Sequence, residues 1–355
     1  MTFYDQLRTL LDWRADPGTR VLSLYLDLTR SPGDLAEDLS EGLHEADFPE
    51  VFIHDPDGLK SVVQLLEQRL PGEIESARAL GYDGLALFHC REPALAMVFR
   101  LRFALDPGLT FSHEPQTWQL AYYEEEYEPA VAIVLDGPAT QLVELHVGDV
   151  ASHHRVRPSH GRSLEQEVRV ELHRLLHDRS RAHLLVLGPD ADRARLLASL
   201  EPALRERVIG EHDRSLAPGA AGFLPVVHRL LQAYERRSEV AGVRSLLVVP
   251  GGALDPDAVA SDVAAVVEAI NQGRIRKFYM LQSFAHRGWL CDACDRLGTL
   301  PVPPSCTACG ASVARVPLER HLVQQARACG AEIETVHESE ELAGVGGVAA
   351  ALLPR

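Results

Sequence analysis

Four of the six cysteines form two closely spaced pairs near the C-terminal end of the sequence. Cys291 and Cys294, then Cys306 and Cys309, follow the pattern C-x2-C-x11-C-x2-C. Two such pairs on short turns direct four thiolates tetrahedrally onto one ion, and a closed four-sulfur shell is typical of structural zinc. The sequence therefore predicts one Zn2+ in a zinc ribbon at residues 288–314. Two disulfides or an iron–sulfur centre are the alternatives that the spacing leaves open.

A second group of residues suited to chemistry is cationic. One segment places three arginines and three histidines around a glycine: Arg155, Arg157, Arg162, His153, His154, His160 and Gly161. The planar guanidinium of arginine matches phosphate oxygens, and histidine can stack on bases. The segment thus fits a flexible finger that contacts RNA. A solvated loop ahead of a charged helix is the alternative reading of the same residues.

The composition limits the partners of this segment. The chain has 355 residues, 46% of them hydrophobic, and a formal net charge of −16. Sequence-independent binding to nucleic acid requires many Lys and Arg side chains, so we expect a local RNA contact and no DNA partner. No apolar run approaches the roughly 20 residues of a membrane span, and the first residues lack a signal-peptide pattern. We therefore expect a cytoplasmic protein without a membrane contact.

Common catalytic motifs are absent from the sequence. It contains no nucleophile elbow G-x-S-x-G, no metal pair H-E-x-x-H and no dinucleotide fingerprint G-x-G-x-x-G. The turn "GPDADR" lacks the glycine and lysine spacing of a P-loop, which favours an ordinary strand-to-helix connection. A stand-alone enzyme is therefore the least favoured class of function.

Hydrophobic patterning predicts three α/β domains: an N-terminal domain at 1–127, a middle domain at 128–240 and a C-terminal domain at 241–355 that contains the zinc ribbon. In the middle domain, three strand-like runs joined by tight turns predict a meander, followed by a helix from Leu164. In the C-terminal domain, "LDPDAVASDVAAVVEAI" predicts one helix. Cys90 and Cys329 adjoin apolar runs and are expected to be buried.

Several stretches resemble the archaeal and eukaryotic class-I release factor and Pelota family, in its bacterial branch. They are "YEPAVAIVLDGPATQLVELHVGDV", "HLLVLGPDADRARLLASLEPALRERVIG", "EAINQGRIRKFYML" with the cysteine pairs after it, and "ACGAEIETVHESEELAGVGGVAAALL". The resemblance implies a release-factor-like middle domain that reaches the peptidyl-transferase centre. It also implies an L7Ae-like C-terminal domain that contacts a translational GTPase or related factor.

The catalytic loop of the hydrolytic family members is not present. Those members carry Gly-Gly-Gln before the long middle-domain helix, where this chain has "RPSHGRSLEQEV" and no Gly-Gly-Gln anywhere. Gly161 remains at the glycine position, flanked by His160 and Arg162, and Gln166 is expected within the helix. The decoding motif Asn-Ile-Lys-Ser is also absent. The resemblance therefore implies no catalytic residues and no stop-codon reading of that kind.

The predicted function is a ribosome-binding translation factor that occupies the A site of idle or stalled ribosomes, in hibernation or rescue, without peptide release. Its predicted contacts with rRNA are Arg155, Arg157, His160, Gly161 and Arg162. The alternative is a peptidyl-tRNA hydrolase or release factor in which Gln166 or His160 positions the water.

Overall fold

The protein is described by a computed structural model that covers residues 3–13, 16, 19–159, 161–177, 182–248, 254–291 and 293–354. The chain divides into two compact units, residues 1–228 and 229–355. Helices and strands alternate in both units, which confirms the predicted α/β class. No helix in the described ranges is long and apolar enough to cross a membrane.

The first sheet of unit 1–228 is antiparallel, in the order β3-β2-β1-β4. Its strands are β1 (Val21–Asp27), β2 (Gly84–Cys90), β3 (Leu95–Leu101) and β4 (Gly108–Ser112). The helices that accompany this sheet are α1 (Phe3–Asp12), α2 (Pro32–Glu45), α3 (Pro56–Gln64), a π-helical segment (Leu65–Arg69), α4 (Leu70–Ala79) and α5 (Trp118–Glu126). Leu22 and Leu24 of β1 pack in one core with α2, α3 and α4, whereas Val21 and Tyr25 pack with α1 and α5. Because both faces are covered, β1 is buried along nearly its whole length.

The second sheet of this unit has five strands in the order β7-β6-β5-β8-β9. They are β5 (Ala130–Asp136), β6 (Ala139–His146), β7 (Asp149–Val156), β8 (His183–Leu187) and β9 (Val208–His212). Strands β5, β6 and β7 form the predicted antiparallel meander, and β8 and β9 continue in parallel with β5. The helices are α6 (Leu164–Leu176), α7 (Asp190–Ser199) and α8 (Pro202–Arg205). Val168 and Leu172 of α6 are fully buried against this sheet, which confirms the predicted helix and its apolar face.

Helix α9 (Phe223–Leu247) is followed by the sheet of unit 229–355, in the order β10-β16-β11-β15. Its strands are β10 (Val259–Ala260), β11 (Ile275–Leu281), β15 (Glu332–Val336) and β16 (Val348–Leu352). The helices are α10 (Val263–Asn271), α11 (Leu318–Ala328) and α12 (Glu340–Gly344). Strands β12 (Arg287–Cys291), β13 (Leu297–Thr299) and β14 (Val313–Pro317) form a separate antiparallel sheet in the order β13-β12-β14. The predicted boundary at 240/241 falls within α9 and, like the one at 127/128, stays a prediction.

Two details of the sequence reading are wrong. The helix predicted from Leu254 begins at Val263, because the Asp262 side chain accepts a hydrogen bond from the backbone N–H of Ala265 and caps it there. Val259, expected on that helix, lies in β10. Cys329, expected to be buried, is exposed because it follows the last turn of α11, whereas Cys90 is buried as predicted.

Candidate functional site

The four paired cysteines come together in one cluster. Their sulfur atoms all lie within 4.8 Å of one another, with Sγ–Sγ distances of 3.5 Å for Cys291–Cys309 and 3.7 Å for Cys294–Cys306. A tetrahedron with metal–sulfur bonds of about 2.3 Å has sulfur–sulfur edges of about 3.8 Å, whereas a disulfide bond measures about 2.0 Å. The cluster therefore has the geometry of a four-sulfur metal site, and the four thiols are not paired as disulfides.

Backbone N–H groups donate hydrogen bonds to two of the four sulfurs. The N–H groups of Ala293 and Ala308 donate to the sulfurs of Cys291 and Cys306, each at 3.4 Å. Hydrogen bonds from the backbone N–H groups of Ala308 and Cys309 lower the pKa of the Cys306 thiol to about 6. A lowered pKa favours the anionic form, which is the form that binds a metal ion.

The small sheet holds these turns in place. Trp289 of β12 is buried and packs in one cluster with Cys291 and Cys306. A Cβ at Gly298 of β13 would lie 2.1 Å from the Trp289 ring, so only glycine fits there. The Asn271 side chain bonds both the N–H and the C=O of Leu297, each at 2.9 Å, which ties β13 to the end of α10. The four sulfurs are thus attached to an ordered frame suited to a structural ion.

The cationic segment begins on an edge strand and continues into a loop. Strand β7 is the last strand of its sheet, and the exposed side chains of His153 and Arg155 occupy alternate positions on it. Arg157 is exposed just beyond the strand. Arg162 is exposed and lies 3.8 Å from the carboxylate of Glu167. These three arginines are therefore accessible to a large anionic partner.

Two more loop residues are predicted to contact RNA, His160 and Gly161. His160 lies outside the described residues. Gly161 has a φ of +88°, in the left-handed region that favours glycine, and no atom lies within 4 Å of the position that a Cβ would take. The glycine is therefore required by the backbone conformation and not by crowding, and the loop reverses direction just before α6.

His154 does not belong to the exposed cationic side chains with which the sequence groups it. Its Nε2 lies 3.1 Å from Oε1 of Glu144, which is buried, and the Ser152 hydroxyl donates to the same oxygen at 2.5 Å. The alternation of β7 places Ser152 and His154 on the side opposite to His153 and Arg155. Sequence reasoning missed Glu144, although a carboxylate inside an apolar strand was a visible sign of a buried polar contact.

Gln166 is held in a hydrogen-bonded helix cap. Its side-chain oxygen accepts from the backbone N–H of Ser163 at 2.9 Å, and the Ser163 hydroxyl accepts from the N–H of Gln166 at 3.3 Å. This reciprocal capping box confirms that Gln166 lies within the helix. The residue offered as a substitute for the catalytic glutamine thus has a structural role, because its side-chain oxygen accepts the Ser163 N–H.

Arg174 on α6 differs from Arg155 and Arg157 because it has a charge partner. Arg174 is exposed, but its Nε lies 3.0 Å from Oε1 of Glu171 in the preceding turn. In the described parts of the chain, neither Arg155 nor Arg157 forms an ion pair. The Arg174–Glu171 contact is thus an ordinary solvated ion pair of small energetic value, whereas no ion pair in the described residues compensates the charges of Arg155 and Arg157.

No protein-family profile matches the chain, and no curated protein matches it. Among solved structures, it is similar to Archaeoglobus fulgidus Pelota, with 16% identity, 76% of this chain and 78% of that chain covered, and a TM-score of 0.37. Saccharomyces cerevisiae Dom34, a translation termination-like factor, is similar with 12% identity, coverage of 77% and 79%, and a TM-score of 0.43. Ribosome-bound archaeal Pelota is similar with 14% identity, coverage of 76% and 77%, and a TM-score of 0.40.

Proposed function

We propose that this chain is a ribosome-binding translation factor that occupies the A site without releasing the nascent peptide. The observation that carries the proposal is the loop between β7 and α6. The loop presents Arg157 and Arg162 to solvent around a left-handed Gly161, the exposed Arg155 precedes it at the end of β7, and the loop has no glutamine at its tip. Guanidinium groups in this setting bind phosphate oxygens, and the sequence resemblance implies a middle domain that reaches the peptidyl-transferase centre.

The non-hydrolytic part of the proposal depends on what the loop lacks. Hydrolysis of a peptidyl-tRNA ester requires a group that positions a water molecule and stabilises the developing charge. Gln166, the nearest glutamine, has its side-chain oxygen engaged by the backbone N–H of Ser163. The alternative function, a peptidyl-tRNA hydrolase or release factor, would require His160 or the Gln166 amide to take that role.

The C-terminal unit contributes a zinc ribbon and a protein contact to the proposed factor. An all-thiolate, closed, four-coordinate shell suits Zn2+, whose role here is to stabilise the ribbon and not to catalyse. The resemblance to the release factor and Pelota family suggests a translational GTPase as the partner of this unit. The proposed setting is idle or stalled ribosomes, in hibernation or rescue; the bacterial branch that the sequence resembles includes the ribosome-hibernation factor Balon. We place the factor in the cytoplasm, where ribosomes work.

The test is co-sedimentation with ribosomes over a range of salt concentrations. The variant carries Arg155→Ala, Arg157→Ala and Arg162→Ala. If each arginine contacts a phosphate, the slope of log affinity against log salt should fall in magnitude by about 2 to 3. The control variant removes three exposed arginines elsewhere: Arg276→Ala, Arg287→Ala and Arg315→Ala.

Both variants lose the same charge, so a general electrostatic effect would change both slopes equally. The proposal predicts a change confined to the loop variant. Wild-type affinity and salt slope in the loop variant would contradict the proposed rRNA contact and return the segment to a solvated surface.

A further inference from the structure

Unit 1–228 contains an open cleft of about 700 Å3 beside strand β7. Its lining includes Tyr82 and Arg102 from the first sheet region, Asp149 and His153 from β7, and His228 from α9. The volume lies within the range of sites that bind small molecules or single building blocks of polymers, which is roughly 300 to 1,000 Å3. Only His153 of these residues belongs to the cationic segment, and none of them is among the rRNA contacts proposed above.

One wall of the cleft is the guanidinium group of Arg102, which stacks on the Tyr82 ring and donates hydrogen bonds to the backbone. The guanidinium carbon of Arg102 lies 4.2 Å from the centroid of the Tyr82 ring. Arg102 also donates from Nη1 to the carbonyl oxygens of Leu80 and Gly81, at 2.8 and 2.9 Å, and its Nε lies 3.1 Å from Oδ1 of Asp149. These contacts fix the guanidinium before any ligand arrives, so a flat ligand would meet a preorganised surface.

The facing wall is built from the start of α9 and the segment before it. His228 donates from Nε2 to the carbonyl oxygen of Gly148 at 2.5 Å, which holds its ring at the cleft. Gly219, Ala220 and Ala221 also line the cleft, and their small side chains leave the space open. The cleft thus combines a planar cationic wall, two imidazoles and a wall of small residues.

The charges in the cleft distinguish between possible ligands. Asp149 and the exposed Asp83 supply two carboxylates, whereas Arg102 is the only arginine or lysine among the described residues that line the cleft. A phosphate group would therefore meet repulsion, but a nucleobase would find what it requires. Carboxylates accept hydrogen bonds from base amino and imino groups, imidazole and guanidinium groups donate to ring nitrogens and carbonyls, and a base can stack on the guanidinium plane.

We propose that this cleft binds an unpaired nucleobase. The proposal rests on the proposed function for the source of the base, because His153 at the cleft and Arg155 lie two residues apart on β7, about 6.6 Å along the strand. A strand of rRNA following the loop arginines would keep its phosphates at Arg155 and insert a base beside His153. A free nucleotide has the same chemistry, and the test separates the two sources.

The test measures binding of the whole protein to a short single-stranded RNA with a fluorescent label. One oligonucleotide is intact, and its partner carries an abasic spacer at the central position. Stacking of one base contributes about 1 to 3 kcal/mol, so the intact RNA should bind about 5- to 150-fold more tightly than the abasic RNA. Ala221→Trp, which fills the cleft, should abolish that difference. The control is Ala194→Trp, at an exposed position on α7, and it should retain the difference.

Equal binding of intact and abasic RNA by the wild type would overturn the proposal, as would a base preference that persists in Ala221→Trp. A nucleoside monophosphate that binds as tightly as the RNA, and is lost in Ala221→Trp, would identify a free nucleotide as the source. The Arg155, Arg157 and Arg162 alanine variant should bind both RNAs more weakly and keep their ratio. A base preference in a protein that fails to bind ribosomes would support the cleft and reject the proposed function, so the two failures are distinguishable.

Discussion

Replacing Gln166 separates a capping role from a catalytic role. In Gln166→Ala the side-chain acceptor for the Ser163 N–H is lost, while the Ser163 hydroxyl still accepts from the backbone N–H of residue 166. Removing a capping interaction typically costs about 1 kcal/mol of helix stability. In Gln166→Glu the acceptor is kept, and a negative charge in the first turn of a helix is favourable by about 0.3 to 1 kcal/mol.

Hydrogen exchange at the N-terminal turn of α6 measures this difference directly. A loss of about 1 kcal/mol corresponds to an increase of about fivefold in the exchange rate of amides that open with that turn. We therefore expect faster exchange in Gln166→Ala and unchanged or slower exchange in Gln166→Glu. If Gln166→Glu accelerates exchange as much as Gln166→Ala does, Gln166 has no capping role, because glutamate keeps the side-chain acceptor for the Ser163 N–H.

Two further predictions concern the metal cluster and a partly buried histidine. Cys306→Ser should lose bound zinc by elemental analysis and make residues 288–314 sensitive to protease, while unit 1–228 keeps its melting temperature. The control Cys329→Ser, at an exposed cysteine, should retain the metal. A wild-type protein that contains no zinc would contradict the proposed metal site. Burial, with a smaller contribution from Arg69, lowers the pKa of His89 below its ordinary 6.5, so the neutral ring is favoured in the folded state. Its contribution to stability is present above pH 6.5 and is lost as the pH falls below that value toward the folded-state pKa. His89→Gln should therefore flatten the acid side of the stability profile. Parallel profiles for wild type and His89→Gln in urea unfolding would refute this cause.

The parts of the fold that the sequence predicts well are those set by local periodicity. The meander of β5 to β7 and the buried face of α6 follow from alternation and helical spacing, and the cysteine cluster follows from a spacing that leaves few other geometries. The start of α10 was placed too early because "LDPDAVA" has helical spacing of valines. The cap at Asp262 and the pairing of Val259 with Ala351 override that pattern.

In the candidate sites too, contacts between residues close in sequence can be predicted, whereas contacts between residues distant in sequence cannot. The reciprocal cap of Ser163 and Gln166 is a sequence-readable pattern, but its consequence for catalysis appears only when the hydrogen bonds are seen. The cleft near Tyr82, Arg102 and Asp149 was not predicted, because its walls are separated in sequence and meet only through packing of the two sheets in unit 1–228. The contact between His154 and buried Glu144 depends likewise on the register of β6 and β7.

The measurement that tests the central claim most directly is a single-turnover release assay on ribosomes that carry labelled peptidyl-tRNA. The predicted result is that the protein sediments with these ribosomes while the label stays on the tRNA, at a rate of loss no faster than without the protein. Gln166→Ala and His160→Ala should leave this result unchanged, because neither residue is expected to position a water molecule. Fast release of the peptide, abolished by either substitution, would contradict the account and identify the protein as a hydrolase.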